Sequence, residues 1–337
     1  MNFPTIGDLA RVLAIREGNS SLKSTITRLS HEVSTGRVQD VARHLSGDLI
    51  HLSSLEAQIS AAQTYRQAAA ETASVADAMQ NVLGQLQDMV TGTATIWLSE
   101  TTLGASSTRL TAAEQARGML YTAVQSLNGA VGGRFLFAGE AFDKPPLPSA
   151  SAFMAMIDDL TAGLDSADDA IEAINNWFAG GPDEDSYLGQ AYSGSLAPPS
   201  AVAIDGSTRV TLAPDAASDG IRELLRGLAI ATVAANDAFA SNGTAQRDLL
   251  AAAGNGLLEA NSGLVSMRSG LGQAQRGIEL SMARNAALTT VLTIERNGLV
   301  EADSYDAASK LVQAEAQLEA LYVLTRKMAG LSLVRHL

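Results

Sequence analysis

The stretch YRQAAAETASVADAMQNVLGQLQDMVTGTATI, residues 65 to 96, contains no proline. Apolar or small side chains return in it at alternating intervals of three and four: Tyr65, Ala68, Thr72, Val75, Met79, Val82, Leu86, Met89, Thr93 and Ile96. That spacing holds one stripe along an α-helix and is the pattern of helices packed side by side. With its start placed near Asp48, the helix is expected to be about 75 Å long at 1.5 Å per residue. A helix of that length cannot bury its stripe alone. The fold is therefore decided by where its partners lie.

The same spacing recurs on both sides. Upstream it reads Val12, Ile15, Asn19, Leu22, Ile26, Leu29, Val33, with an asparagine that sets register at a seam position, and Ser34-Thr35-Gly36 is expected to stop the helix. Downstream come Leu110, Ala113, Arg117, Leu120, Val124, Leu127 and Val131, with Gly132-Gly133 as the expected end. A long series follows from Leu250 through Ala253, Leu257, Ala260, Leu264, Met267, Leu271, Ala274 and Ile278 to Leu288 and Leu292. The last runs Val300, Ser304, Ala307, Leu311, Ala314, Leu318, Leu321, Thr325, Met328. These weakly apolar terminal seams are expected to find their partners mainly by assembly.

Seven of the eight prolines lie between Pro145 and Pro214, and residues 139 to 220 carry a net charge of −12 out of −13 for the chain. Proline breaks helix interiors, so the reading is two helical arms around an irregular, acidic centre. In that centre Phe153 to Phe178 reads as one short amphipathic helix, broken by Gly180-Gly181-Pro182. Two alternating runs, Ala201 to Ile204 and Thr208 to Leu212, flank Asp205-Gly206-Ser207 and predict a β-hairpin. The expected fold is mainly α: a long antiparallel helical rod and coiled-coil termini, with a small central α+β insertion. Its expected parts are residues 1–40 with 300–337, residues 41–140 with 219–299, and a surface insertion at 141–218.

Composition removes several functions. The chain has no cysteine, which excludes disulfides, thiolate metal sites and cysteine nucleophiles. Its four histidines, His31, His44, His51 and His336, lack the spacing of a complete metal site. The clusters Asp165 to Asp169 and Asp183 to Asp185 lack the spaced ligands of an EF-hand and read as solvated surface. No phosphate-loop, serine-nucleophile or zinc-protease signature occurs, and no cofactor or catalytic residue is expected. With an acidic balance and no basic cluster, nucleic acid is not an expected partner. No membrane-length apolar run and no secretory signal pattern are found, so neither a membrane partner nor a Sec leader is expected.

Four segments together resemble the bacterial flagellin superfamily, most closely its hook-filament junction branch. Gly133-Arg134-Phe135-Leu136-Phe137-Ala138-Gly139, followed by Asp143 and Pro145-Pro146, is similar to an internal motif of that family. Leu29 to Val38, LSHEVSTGRV, resembles the family's LSTGxRV turn, carried here by Gly36 and Arg37. Glu301 to Tyr305 resembles the acidic start of the family's C-terminal helix, and Leu331-Ser332-Leu333 with Leu337 resembles its end. The order matches over about three quarters of the chain. One departure is Asp40-Val41-Ala42-Arg43, where the family has Asp-Asp-Pro.

The resemblance implies that the N- and C-terminal helices form the inner tube of an axial assembly in the extracellular flagellum. The implied role is a structural joint without catalysis. Implied partners are further copies of the chain in a ring or helix, an adjacent hook-associated protein, flagellin, and a chaperone of the flagellar type III export route. The expected assembly contacts are Val12, Ile15, Leu22, Ile26, Leu29, Val33, Leu311, Leu318, Leu321, Met328, Leu331 and Leu333. The alternatives are flagellin itself and a coiled-coil scaffold unrelated to flagella.

Overall fold

The computed structural model describes residues 6–334, without the side chains of residues 6–9, Val12, Leu103 and 328–334. The chain is 74% helical, with two small antiparallel two-stranded sheets, and it divides into two compact units, residues 1–62 with 287–337 and residues 63–286. Two long helices, α3 (Ile50–Leu103) and α9 (Gly243–Val300), contribute to both. At 54 residues α3 spans roughly 80 Å. The expected rod and insertion, 41–140 with 219–299 and 141–218, are not the compact units that the contacts define.

In the first unit α1 (Ile6–Thr35) pairs with α10 (Ser304–Val334). Leu22, Ile26 and Leu29 meet Ala307, Leu311 and Ala314 in one apolar cluster. Small alanines opposite leucines let the two helices approach closely. A second cluster sets Leu55 and Ile59 of α3 against Leu292 and Leu299 of α9. The connection after α1 holds a four-residue helix, α2 (Val41–His44), whose start Asp40 caps through Oδ1, accepting from Arg43 N–H at 3.1 Å.

The second unit has one continuous core. Helices α4 (Ser106–Leu127) and α7 (Asp219–Val233) pack together and on α3 and α9, and the central segment closes over them. The sequence led to a single helix over Phe153–Phe178; the chain instead forms α5 (Ala150–Leu160) and α6 (Ala167–Ala179). The break falls at Thr161 to Asp165, where Gly163 takes a φ of +76° and Ser166 restarts the helix by capping Asp169 N–H. Phe153, Trp177, Phe178 and Tyr187 form an edge-to-face aromatic cluster, with Phe178 stacked on Tyr187 at 5.1 Å. These rings belong to the same core as Leu120, Leu224 and Leu250. The proline-rich centre is thus part of the unit's interior and not a surface appendage.

The expected hairpin is present as β3 (Val202–Ala203) and β4 (Arg209–Val210), paired Val202 to Val210. A second hairpin, β1 (Ala130–Val131) with β2 (Arg134–Phe135), lies where the helix was expected to continue to Gly132-Gly133. Helix α4 ends at Leu127. Gly132 and Gly133, at φ of +58° and +80°, form the two-residue turn, and positive φ at both positions matches the twist of a tight hairpin.

The seam positions in α3 and α4 are displaced from the expectation. Thr72, Met79 and Leu86 are buried as expected, but the other line of the stripe is Ala69, Ala76, Leu83, Val90 and Trp97, one residue beyond Ala68, Val75, Val82, Met89 and Ile96. In α4, Arg117 is exposed and Ala116 is buried in its place. The helices here meet several neighbours at once, which draws small alanines inward and widens the buried face beyond a two-stranded seam.

Candidate assembly surface

The turn after α1 is held by backbone geometry. Gly36 takes a φ of +66°, the left-handed conformation that closes a helix, and its N–H donates to Glu32 O at 2.9 Å. From there the chain pairs with the segment between α9 and α10. Arg37 bridges Glu301, Val38 N–H donates to Val300 O at 3.0 Å, and Ala302 N–H donates to Gly36 O at 3.0 Å. Asp303 then starts α10, accepting from Tyr305 and Asp306 N–H at 2.9 and 3.0 Å. Two of the four family-like segments, remote in sequence, are thus tied to each other. Glu32 is buried beside them and accepts from Arg28 at 3.1 Å and from Gln39 N–H at 3.3 Å.

A cleft of about 310 Å³ lies against this tie, lined by Arg28, Glu32, Asp40, Arg43, Asp306 and Lys310 among others. Its charges cancel in pairs: Arg28 with Glu32, Arg43 with Asp40 at 3.4 Å, and Lys310 with Asp306 at 2.6 Å. Asp303 also lines the cleft, and its carboxylate is taken up by the backbone N–H groups of Tyr305 and Asp306 at the start of α10. His51 meets Glu295 at 3.1 Å. Among the described residues no group of three or more histidine, aspartate or glutamate side chains is placed to hold a metal ion, and no helix is long and apolar enough to cross a membrane.

The third family-like segment is a hub in the second unit. Leu136, Phe137 and Ala138 are buried, Phe135 is half-buried, and Arg134 lies over the Phe142 ring at 4.1 Å. Its backbone joins four other stretches: Phe135 N–H donates to Phe142 O, Leu136 N–H to Gly129 O, while Phe137 O and Ala138 O accept from Ala216 and Ser195 N–H. Gly139 has a φ of +60°, and a β-carbon there would lie 2.7 Å from Ser195 O. Only glycine fits that place.

The expected contact residues fall mainly inside the chain. Leu22, Ile26, Leu29 and Leu311 pack between α1 and α10, and Ile15, Leu318 and Leu321 are half-buried. Val33 is 37% exposed. The side chains of Val12, Met328, Leu331 and Leu333 lie outside the described residues.

A different set faces outward on α10. Tyr305 is 86% exposed, Val312 66% and Val323 51%, with Ala316 exposed between them. At 3.6 residues per turn these four lie within about 20° of one line, opposite Ala307, Leu311 and Ala314. Helix α10 is therefore apolar on two opposite sides, of which α1 covers one. Ala320 and Leu324 widen the open side, and Glu319 borders it. The C-terminal half of α9 repeats the pattern, with Leu280, Val291 and Ile294 exposed by 61 to 67%. Heptad reading follows one seam and passes over a second one; the signal available was that apolar residues occur all around these helices, the pattern of a helix enclosed by neighbours. Compared with models of known protein families the chain matches none, and it matches no curated protein.

Proposed function

We propose that the protein is a structural subunit of the bacterial flagellum, a hook-associated protein of the hook-filament junction, hook-associated protein 3 in kind. It acts by subunit packing and catalyses no reaction. The observation that carries the packing role is the second, uncovered apolar side of α10. A stripe holding Tyr305, Val312 and Val323 is stabilised by burial, each large side chain by roughly 1.5 to 3 kcal/mol, and further copies of the chain supply the cover. The flagellar setting rests on the resemblance of the four ordered segments. Two of them, LSHEVSTGRV and the start of α10, meet in the first unit as the pairing of terminal helices in that family requires.

In this reading the chain leaves the cell through the flagellar type III route with a chaperone. It then joins an adjacent hook-associated protein on one side and flagellin on the other. Cells from which the chain is deleted should carry bare hooks and shed flagellin into the medium. Normal filaments on such cells would refute the reading. Flagellin remains the second reading, favoured by the same terminal helices, and a deletion strain whose medium contains no filament protein would favour it.

A further inference from the structure

We propose that the open side of α10 pairs with the same side of a second copy of the chain, the two helices lying antiparallel about a twofold axis between Val312 and Ala316. That side is the line of Tyr305, Val312, Ala316 and Val323, all exposed and opposite the face that α1 covers. The intervals along it are seven, four and seven residues, so it reads the same from either end. With one copy turned end for end, all four side chains therefore meet the other copy's four at a single register. Tyr305 then stands opposite Val323, and Val312 opposite Ala316, a larger side chain against a smaller one each time. Ala316, Glu319, Ala320, Val323 and Leu324 line a shallow hollow of about 460 Å³, and this register carries Tyr305 of the second copy over it.

Charge decides the direction, as it does where charged residues flank a helix seam. Glu301, Asp303 and Asp306 stand at the start of α10, and Arg326 and Lys327 stand near its far end. Lys310 offsets Asp306 at 2.6 Å, and among the described residues Glu301, Arg326 and Lys327 are in no ion pair. The antiparallel register brings Lys327 to the level of Glu301 of the second copy, with Arg326 one residue away, and symmetry repeats the match at the other end. It also sets the opposite partial charges of the two helix ends side by side. A parallel pair in register would gather the cations at one end and the carboxylates at the other. One charge works against the antiparallel pair: Glu315 lies beside the centre of the line, so its two copies come together near the axis.

A twofold pair is closed, because each copy uses the same surface against the other. From Tyr305 to Val323 the strip is about 27 Å long and one helix, about 10 Å, wide. Two such strips bury roughly 500 Å² in all, which is small for a specific interface, so association is expected at concentrations on the order of 0.1 mM. The pair stands on the stripe and its charges alone, and failure of the flagellar reading in a deletion strain does not bear on it. Where that reading holds as well, and resting on it, the pair is a resting form: it covers the stripe that assembly needs and has to separate before further copies add.

The chain has no cysteine, so single introduced thiols report neighbours directly. Tyr305→Cys and Val323→Cys both replace exposed side chains, and the helicity of the full chain should be unchanged in each. Mixed in equal amounts and oxidised, they should form a disulfide between unlike copies at roughly ten times the yield of Tyr305→Cys mixed with Ser151→Cys. Ser151 is an exposed residue of the second unit, so that mixture sets the collision background. Each variant alone should stay at the background, because its own two thiols lie about 27 Å apart in the antiparallel pair and a disulfide spans at most about 7 Å between Cα atoms. By sedimentation the wild type should form a weak dimer, and Glu315→Gln should tighten it about threefold by removing the like charge. Disulfides of Tyr305→Cys or Val323→Cys with itself above the background overturn the proposal. So does a mixture that cross-links no better than the background, or a wild type that stays monomeric at about 1 mM.

Discussion

Gly220 of α7 and Gly263 of α9 touch backbone to backbone: a β-carbon on Gly263 would lie 2.6 Å from Gly220 Cα, and one on Gly220 would lie 2.8 Å from Gly263 C. The two helices cross where neither has a side chain. About two turns along α7, Gly227 makes a similar close contact with Ala253 and Leu257. Gly263→Ala should therefore destabilise the second unit by about 1 to 3 kcal/mol through overpacking. Gly270, on the same helix, has nothing within 4 Å of its β-carbon position, so Gly270→Ala should stabilise by about 0.5 to 1 kcal/mol. Urea unfolding of the two variants checks the opposite signs.

The β3–β4 hairpin is latched by Asp205. Its Oδ1 accepts from Ser207 and Thr208 N–H at 2.7 and 2.6 Å, and its Oδ2 from Ser281 Oγ and Arg284 Nη1 at 2.8 and 3.0 Å. The Ser207 N–H, with the hydroxyls around it, holds the carboxyl well below the usual carboxylate range, against the opposing effect of burial. A lowered folded value means that the latch is fully present above the unfolded carboxylate value, about 3.9, and is lost as pH falls below that toward the folded one. Amide exchange at residues 202–210 should stay slow at pH 5 and rise steeply under stronger acid. Asp205→Asn should speed it roughly tenfold at neutral pH, as expected for a lost hydrogen bond to a charged group, and flatten the acid dependence.

Tyr187 is fully buried, donates its hydroxyl to Ala216 O at 2.7 Å, and has its ionisation pushed up by burial and then by neighbouring Tyr192. Burial, and after it Asp215, pushes Tyr192 up as well. A raised folded value means that the unfolded chain releases these protons first, so stability is constant below about pH 10 and falls above it. Absorbance titration should show two of the six tyrosines ionising only with unfolding. Tyr187→Phe should remove one of them.

The two sides of α10 should separate in mutants. Val312→Asp with Val323→Asp places charge on the open side, so the monomer should keep its helicity and melting while self-assembly is lost. Leu311→Asp instead puts an unpartnered charge between α1 and α10, and should destabilise that pair by several kcal/mol. Circular dichroism and sedimentation distinguish the two. Assembly that survives Val312→Asp with Val323→Asp would remove the open stripe from the account.

Heptad spacing revealed the long helices because their caps and glycines act locally: Gly36 closes α1 in the place expected, whereas the last seam, read from Val300, is cut after that residue, which ends α9, and α10 starts at Ser304 behind Asp303. The Asp205-Gly206-Ser207 hairpin was legible for the same reason. Its anchor was not, because Ser281 and Asn285 occupy inward positions of α9 where an apolar series was being followed. The core role of Phe153, Trp177 and Tyr187 was equally hidden, since acidic exposed residues dominate the charge of that segment while a few rings decide its packing.

The most direct measurement of the flagellar reading is electron microscopy of cells whose only copy of the chain carries an electron-dense tag. Label confined to a short band between hook and filament is the predicted result. Label along the whole filament, or label absent from flagella altogether, would contradict it.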